Sequence, residues 1–187
     1  MGMKRLFAAV KVHPDENLLQ IYQEIRQLLR SDTINWVDDH KIHITLKFFG
    51  DIPEDDIPTI SEILRKAASR HQPFDMSLES VGIFGSSYNP RVIWFGLKRS
   101  KPVEKLAEDV LDSLAKSGFP RDEQHFRPHL TIGRVKSVDN KKYFQQVIDR
   151  YKQTYLQEIP VNNFELIESK LTPRGPIYNS LETFTLG

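Results

Sequence analysis

The chain has 187 residues, 39% hydrophobic and 27% charged, with a formal net charge of +1 at pH 7 and no cysteine. It is long enough for a real core. Its charge balance argues against a long electrostatic footprint on nucleic acid but permits contact with a nucleotide end or a short strand. The missing cysteines exclude disulfides, thiolate metal ligands and a cysteine nucleophile; with no apolar run near 18 residues and no secretory signal, a cytoplasmic protein without a membrane span is expected.

Residues 5–12 read as a buried strand, followed by a turn at His13-Pro14-Asp15, where Pro14 or Asp15 can start a helix. From 16 to 30, Leu18, Leu19, Tyr22, Ile25, Leu28 and Leu29 recur at helical spacing. Residues 36–39 read as a short extended piece and a turn, and 42–49 as a strand closed by Gly50, Asp51 and Pro53. A helix is expected over 55–70, a strand over 74–84 and a turn-rich loop over 85–90. The order then repeats: a strand over 91–97, a helix over 103–115 ended by Gly118, a strand over 126–135, and a helix over 139–151 with Asp139 or Asn140 as N-cap. Strands over 161–171 and 178–186 complete the chain.

Both halves thus read strand–helix–strand–helix–strand, with corresponding elements about 86 residues apart, the pattern of an internal duplication. The central strand of each half carries the same triplet: His43-Ile44-Thr45, then His129-Leu130-Thr131. Side chains alternate between the faces of a strand, so each triplet sets an imidazole beside a hydroxyl and turns the apolar residue between them toward a core. On the first strand His43, Thr45, Lys47 and Phe49 are expected on one face, and Ile42, Ile44, Leu46 and Phe48 on the other. On the second, His129, Thr131, Gly133 and Val135 share a face, and Arg134 has the wrong parity to join them unless Gly133 marks a bulge or the strand ends there. A pseudo-two-fold axis relating the halves would bring both triplets to one cleft.

Two imidazoles can supply a base and an acid near neutrality, and hydroxyls with a guanidinium suit non-bridging phosphate oxygens. A cyclic phosphate could be opened by such a set without a metal. The segments Arg5-Leu6-Phe7-Ala8-Ala9-Val10, Ile42-His43-Ile44-Thr45-Leu46-Lys47-Phe48-Phe49-Gly50 and Phe126-Arg127-Pro128-His129-Leu130-Thr131-Ile132-Gly133-Arg134 resemble the 2H phosphoesterase superfamily, and within it the RNA 2′,3′-cyclic phosphodiesterase (2′-5′ RNA ligase) branch. The resemblance covers nearly the whole chain. It implies an α+β fold, a single domain over 1–187 with two pseudo-two-fold-related lobes of antiparallel sheet (about 1–88 and 89–187), outer helices and a cleft between the lobes. It implies hydrolysis of 2′,3′-cyclic phosphate at RNA or nucleotide ends to a 2′-phosphate, reversible as 2′-5′ ligation, by a monomer using no metal or other cofactor. His43 is then the proton donor and His129 the acceptor, with Thr45, Thr131 and Arg134 on the phosphate. The segment 36–41 departs from the branch, which more often has a proline-containing turn there.

Two other readings stay open. One is a metal-dependent hydrolase using His40, His43, His129 and a carboxylate; the other is an RNA-end binding module without turnover. Phe7, Trp94, Tyr88 and Tyr178 could stack on a base, with core packing the default for Phe7 and Trp94. His13, His71 and His125 read as surface residues, and a turn with solvated charges is the plainer reading of Asp38, Asp39 and His40.

Overall fold

The computed structural model describes residues 2–121 and 126–187. In chain order its elements are β1 (Met3–Lys11), α1 (Glu16–Leu28), β2 (Thr33–Trp36), β3 (His43–Pro53), α2 (Ile57–Ser69), β4 (Phe74–Gly85), β5 (Pro90–Lys98), α3 (Lys101–Lys116), β6 (His129–Ser137), α4 (Lys141–Arg150), β7 (Tyr155–Val161), β8 (Asn163–Thr172) and β9 (Gly175–Thr185). Helix starts follow local chemistry. The Asp15 side chain accepts from Leu18 N at 2.8 Å to cap α1, and Asn140 accepts from Tyr143 N at 3.0 Å to cap α4. Pro58 and Pro102 lie in the first turns of α2 and α3, where a missing N–H costs nothing.

The strands form two antiparallel sheets, ordered β3-β1-β8-β9 and β2-β6-β5-β4-β7. Set side by side, β3-β1-β8 corresponds to β6-β5-β4. The third strand of each half therefore lies in the sheet of the other half. The expected division into lobes 1–88 and 89–187 does not coincide with the sheets: β4 crosses into the second, β8 and β9 into the first, and β2 edges the second. The four-residue loop between β4 and β5 makes them a hairpin, and that local pairing carries β4 across.

Helices α2 and α3 pack on the first sheet, α1 and α4 on the second. One hydrophobic cluster runs between sheets and helices, with Leu6, Ile44, Phe95 and Leu130 fully buried in it. The strand over 155–161 escaped the sequence reading because Pro160 interrupts it. Among the described residues β7 pairs with β4 alone, and an edge strand tolerates proline. The strand expected from 126 begins at His129, and the extended piece expected over 36–39 lies earlier, as β2.

Candidate active site

Strands β3 and β6 carry the two triplets, and their Cα atoms come within 8 Å of one another. Each strand bulges just after its threonine. On β3, Ala9 faces Thr45 but Ala8 faces Lys47, so Leu46 is the extra residue. On β6, Trp94 faces Thr131 but Ile93 faces Gly133, so Ile132 is the extra residue. An extra residue inverts the alternation beyond it. Arg134 is thereby turned to the face of His129 and Thr131, and Phe48, at the equivalent place, to the face of His43 and Thr45.

This corrects the face assignment expected for the end of β3. Lys47 points into the protein, 5% exposed, and its Nζ donates to Pro120 O at 3.0 Å. Phe48 is 43% exposed and lines the cleft. Strict alternation carries no sign of a bulge, so the sequence alone could not show this.

The cleft is a cavity of about 820 Å³ whose wall holds His43, Thr45, His129, Thr131 and Arg134 together. All five expected site residues therefore meet in one place. Both histidines are held the same way. Nδ1 of His43 bonds Lys41 O at 2.8 Å, and Nδ1 of His129 bonds Arg127 O at 2.6 Å. A carbonyl oxygen only accepts, so each Nδ1 carries the hydrogen and each Nε2 is left as the nitrogen able to exchange a proton.

Burial lowers the pKa of His43, offset in part by the Lys41 carbonyl and reinforced by the Lys11 ammonium. Burial also lowers that of His129, with the Arg127 carbonyl opposing and the Arg134 guanidinium adding to the effect. Aromatic rings set both imidazoles: Phe7 at 4.9 Å and Tyr178 edge-on at 5.6 Å for His43, Phe84 edge-on at 4.8 Å for His129. Among the described residues, the hydroxyls of Thr45 and Thr131 have no protein hydrogen-bond partner and Arg134 has no carboxylate partner. These donors face the cavity ready for an anion.

Phe7 is buried, as its default reading had it, and flanks the cleft as well; Tyr178 lines the cleft, whereas Tyr88 lies elsewhere, against Lys141. Trp94 lies over Gly82, whose added Cβ would come within 2.3 Å of the indole. Asp38, Asp39 and His40 bring potential ligand atoms within 4.8 Å of one another, but Asp38 accepts from His40 N in the manner of a turn cap, and the His40 ring is 89% exposed. Among the described residues, no such cluster includes His43 or His129. His13 is exposed, His71 is half-buried with Nε2 on Asp109 Oδ2 at 2.8 Å, and His125 lies outside the described residues.

Arg5, Arg26, Trp36 and Arg174 also line the cavity and were not singled out from the sequence. Arg26 lies on α1, one residue after the buried Ile25, and its guanidinium covers the Trp36 ring at 5.9 Å. Helical periodicity reports the buried stripe and is silent about which polar residue overhangs a cleft.

The family model of the 2′-5′ RNA ligase superfamily matches residues 13–172. The chain belongs to this superfamily. As a superfamily member it is 36% identical over 181 residues to the RNA 2′,3′-cyclic phosphodiesterase of Archaeoglobus fulgidus, covering 96% of this chain and 99% of that protein. It is 33% identical to the RNA 2′,3′-cyclic phosphodiesterase of Thermotoga maritima, over 95% and 92% of the two chains. The crystal structure of TT0787 of Thermus thermophilus superposes with a TM-score of 0.79 at 28% identity, over 97% of each chain. The E. coli LigT structure complexed with 3′-AMP superposes with a TM-score of 0.78 at 21% identity over 99% of each chain, a likeness of fold. The α+β architecture of two antiparallel sheets with four helices is thus the superfamily's.

Proposed function

We propose that this protein hydrolyses 2′,3′-cyclic phosphate at RNA or nucleotide ends, with His129 as general base, His43 as general acid, and Thr45, Thr131 and Arg134 on the phosphate oxygens. One observation carries the reading. Two imidazoles, each fixed through Nδ1 by the carbonyl two residues earlier, line one cavity with a guanidinium and two hydroxyls that have no partner among the described residues. The names of the relatives supply the substrate, and the volume of the cavity accommodates a nucleotide.

Nε2 of His129 takes a proton from water as the water oxygen forms its bond to phosphorus. The bond from phosphorus to the ribose 3′ oxygen breaks on the opposite side, and Nε2 of His43 protonates that oxygen. The product is a 2′-phosphate. In-line displacement needs base and acid on opposite sides of phosphorus, and one histidine from each sheet meets that need. Thr45, Thr131 and Arg134 hold the negative charge that grows on the non-bridging oxygens. The same displacement with a 5′-hydroxyl in place of water forms a 2′-5′ phosphodiester, which is ligation; its reverse cleaves that bond. The protein acts on RNA ends as a monomer, and no step draws on a metal.

The test is incubation with an oligonucleotide ending in 2′,3′-cyclic phosphate, with and without chelator, the product read by phosphorus NMR. A 2′-phosphomonoester at equal rates is expected. Loss of turnover with chelator would support the metal-dependent hydrolase instead, and binding without turnover the RNA-end module.

A further inference from the structure

A second cavity, of about 220 Å³, adjoins the first at His43. It shares His40, Lys41, His43 and Tyr178 with the main cleft and adds Lys11 and His13, over a floor that includes Ile167 and Ile177. Among the described residues none of β6 reaches it, so it lies on the His43 side of the site. The described residues of its wall carry two ammonium groups and no carboxylate. Lys41 Nζ donates to Pro176 O at 2.8 Å, a neutral partner, and the Asp38 carboxylate acts on its charge from the neighbouring turn; Lys11 Nζ is paired with Glu165 at 3.4 Å.

The reaction polarity proposed above determines what lies there, and the inference rests on that reading. The oxygen that His43 protonates belongs to the terminal ribose, so that ribose occupies the His43 side of phosphorus. Its 5′ carbon leads to the next phosphate of the same strand, one nucleotide upstream. We infer that the small cavity receives this upstream phosphate on Lys41 and Lys11, and that the protein therefore prefers a cyclic phosphate at the end of a strand to a free nucleoside cyclic phosphate. A cationic pocket that shares His43 with the main cleft and has Ile167 and Ile177 in its wall suits a phosphodiester or a 5′-phosphate.

The test compares adenosine 2′,3′-cyclic phosphate with the same compound bearing a 5′-phosphate, which is identical at the reacting group. In the unaltered protein the 5′-phosphate should raise kcat/KM about tenfold, mostly through KM, the worth of one charge-assisted contact. It should also make kcat/KM more salt-dependent, by a log–log slope of about −0.7. In Lys41→Met the ratio between the two substrates should fall toward one, and Lys41→Arg should restore it. Lys11→Met should lower the same ratio, which covers the case in which Lys41→Met loosens the contact with Pro176. Because each variant is its own reference, a general loss of activity does not mimic the result. Equal kcat/KM for both substrates in the unaltered protein, or a preference that survives both methionine variants, would overturn the upstream site while leaving the hydrolase reading intact. Hydrolysis of neither substrate would overturn both.

Discussion

Each histidine is held by a carbonyl through Nδ1 and desolvated by its surroundings, so both titrate below the usual histidine value of about 6.5. With His129 as base, kcat/KM rises with pH as the base sheds its proton; with His43 as acid, it falls as the acid sheds its own. Since both groups are lowered, the bell of kcat/KM against pH should peak on the acid side of about pH 6.5, its limbs belonging to the coupled pair. A maximum above about pH 7 would contradict this. Arg134 is one cause of the low value at His129, so Arg134→Met should move the acidic limb to higher pH while weakening phosphate binding. Lys11 acts likewise on His43, so Lys11→Met should move the alkaline limb upward. At this scale the sequence was highly informative. A repeated His-x-Thr triplet inside apolar strands rarely arises by chance, and the resemblance supplied the roles. The tautomers were not legible, because they depend on the backbone path at Lys41 and Arg127.

Strands and helices decide which side chains the cleft receives. Gly133 sits beside the β6 bulge, and an added Cβ would lie 2.9 Å from Ile34 Cγ2 and 3.0 Å from the Trp36 ring. Gly133→Ala must therefore push β2 away or straighten the bulge that presents Arg134. A loss of about 1–3 kcal/mol in stability is expected from the overpacking, with a rise in KM, measured by urea unfolding and by kinetics. On the far side of the protein, Asp109 of α3 ties to α2, accepting from Arg70 Nε at 2.9 Å and Nη2 at 2.7 Å and bonding His71 at 2.8 Å. The Arg70 guanidinium holds the pKa of the Asp109 carboxyl at about 2. The folded value lies below the unfolded one, so this contribution is full above about pH 4 and is lost as pH falls toward about 2. Asp109→Asn should remove that acid dependence from the urea midpoint, and an unchanged pH profile would contradict the assignment. Helices and long strands were legible from periodicity within a few residues. The bulge at Leu46 was not, and the one at Ile132 was open only as the alternative raised at Gly133, since an extra residue is defined by the partner strand and not by the strand's own sequence.

The whole molecule is built by exchange: the third strand of each half completes the other half's sheet, so neither sheet exists without both halves. Residues 1–88 and 89–187 made separately should each lack a cooperative thermal transition by circular dichroism, because β4 and β8 would have no β5 and β1 to pair with. A fragment that melts cooperatively would contradict the exchange as a condition of folding. The repeat was legible as a constant offset, but its crossing was not, because pairing between β1 and β8 joins residues about 160 apart. Strands β3 and β6 lie side by side, and one cavity has a histidine from each sheet in its wall. In the proposed reaction those two histidines divide the labour of acid and base. His43→Ala and His129→Ala should each lower kcat on a 2′,3′-cyclic phosphate by about 10²–10⁴, the usual worth of a positioned acid or base. The most direct measurement is the rate of each variant on a phosphodiester with an activated leaving group, which needs no proton on departure. Rescue of His43→Ala but not of His129→Ala is expected. Rescue of His129→Ala instead would reverse the acid and the base, and rescue of neither would mean that the two imidazoles are not simple proton carriers.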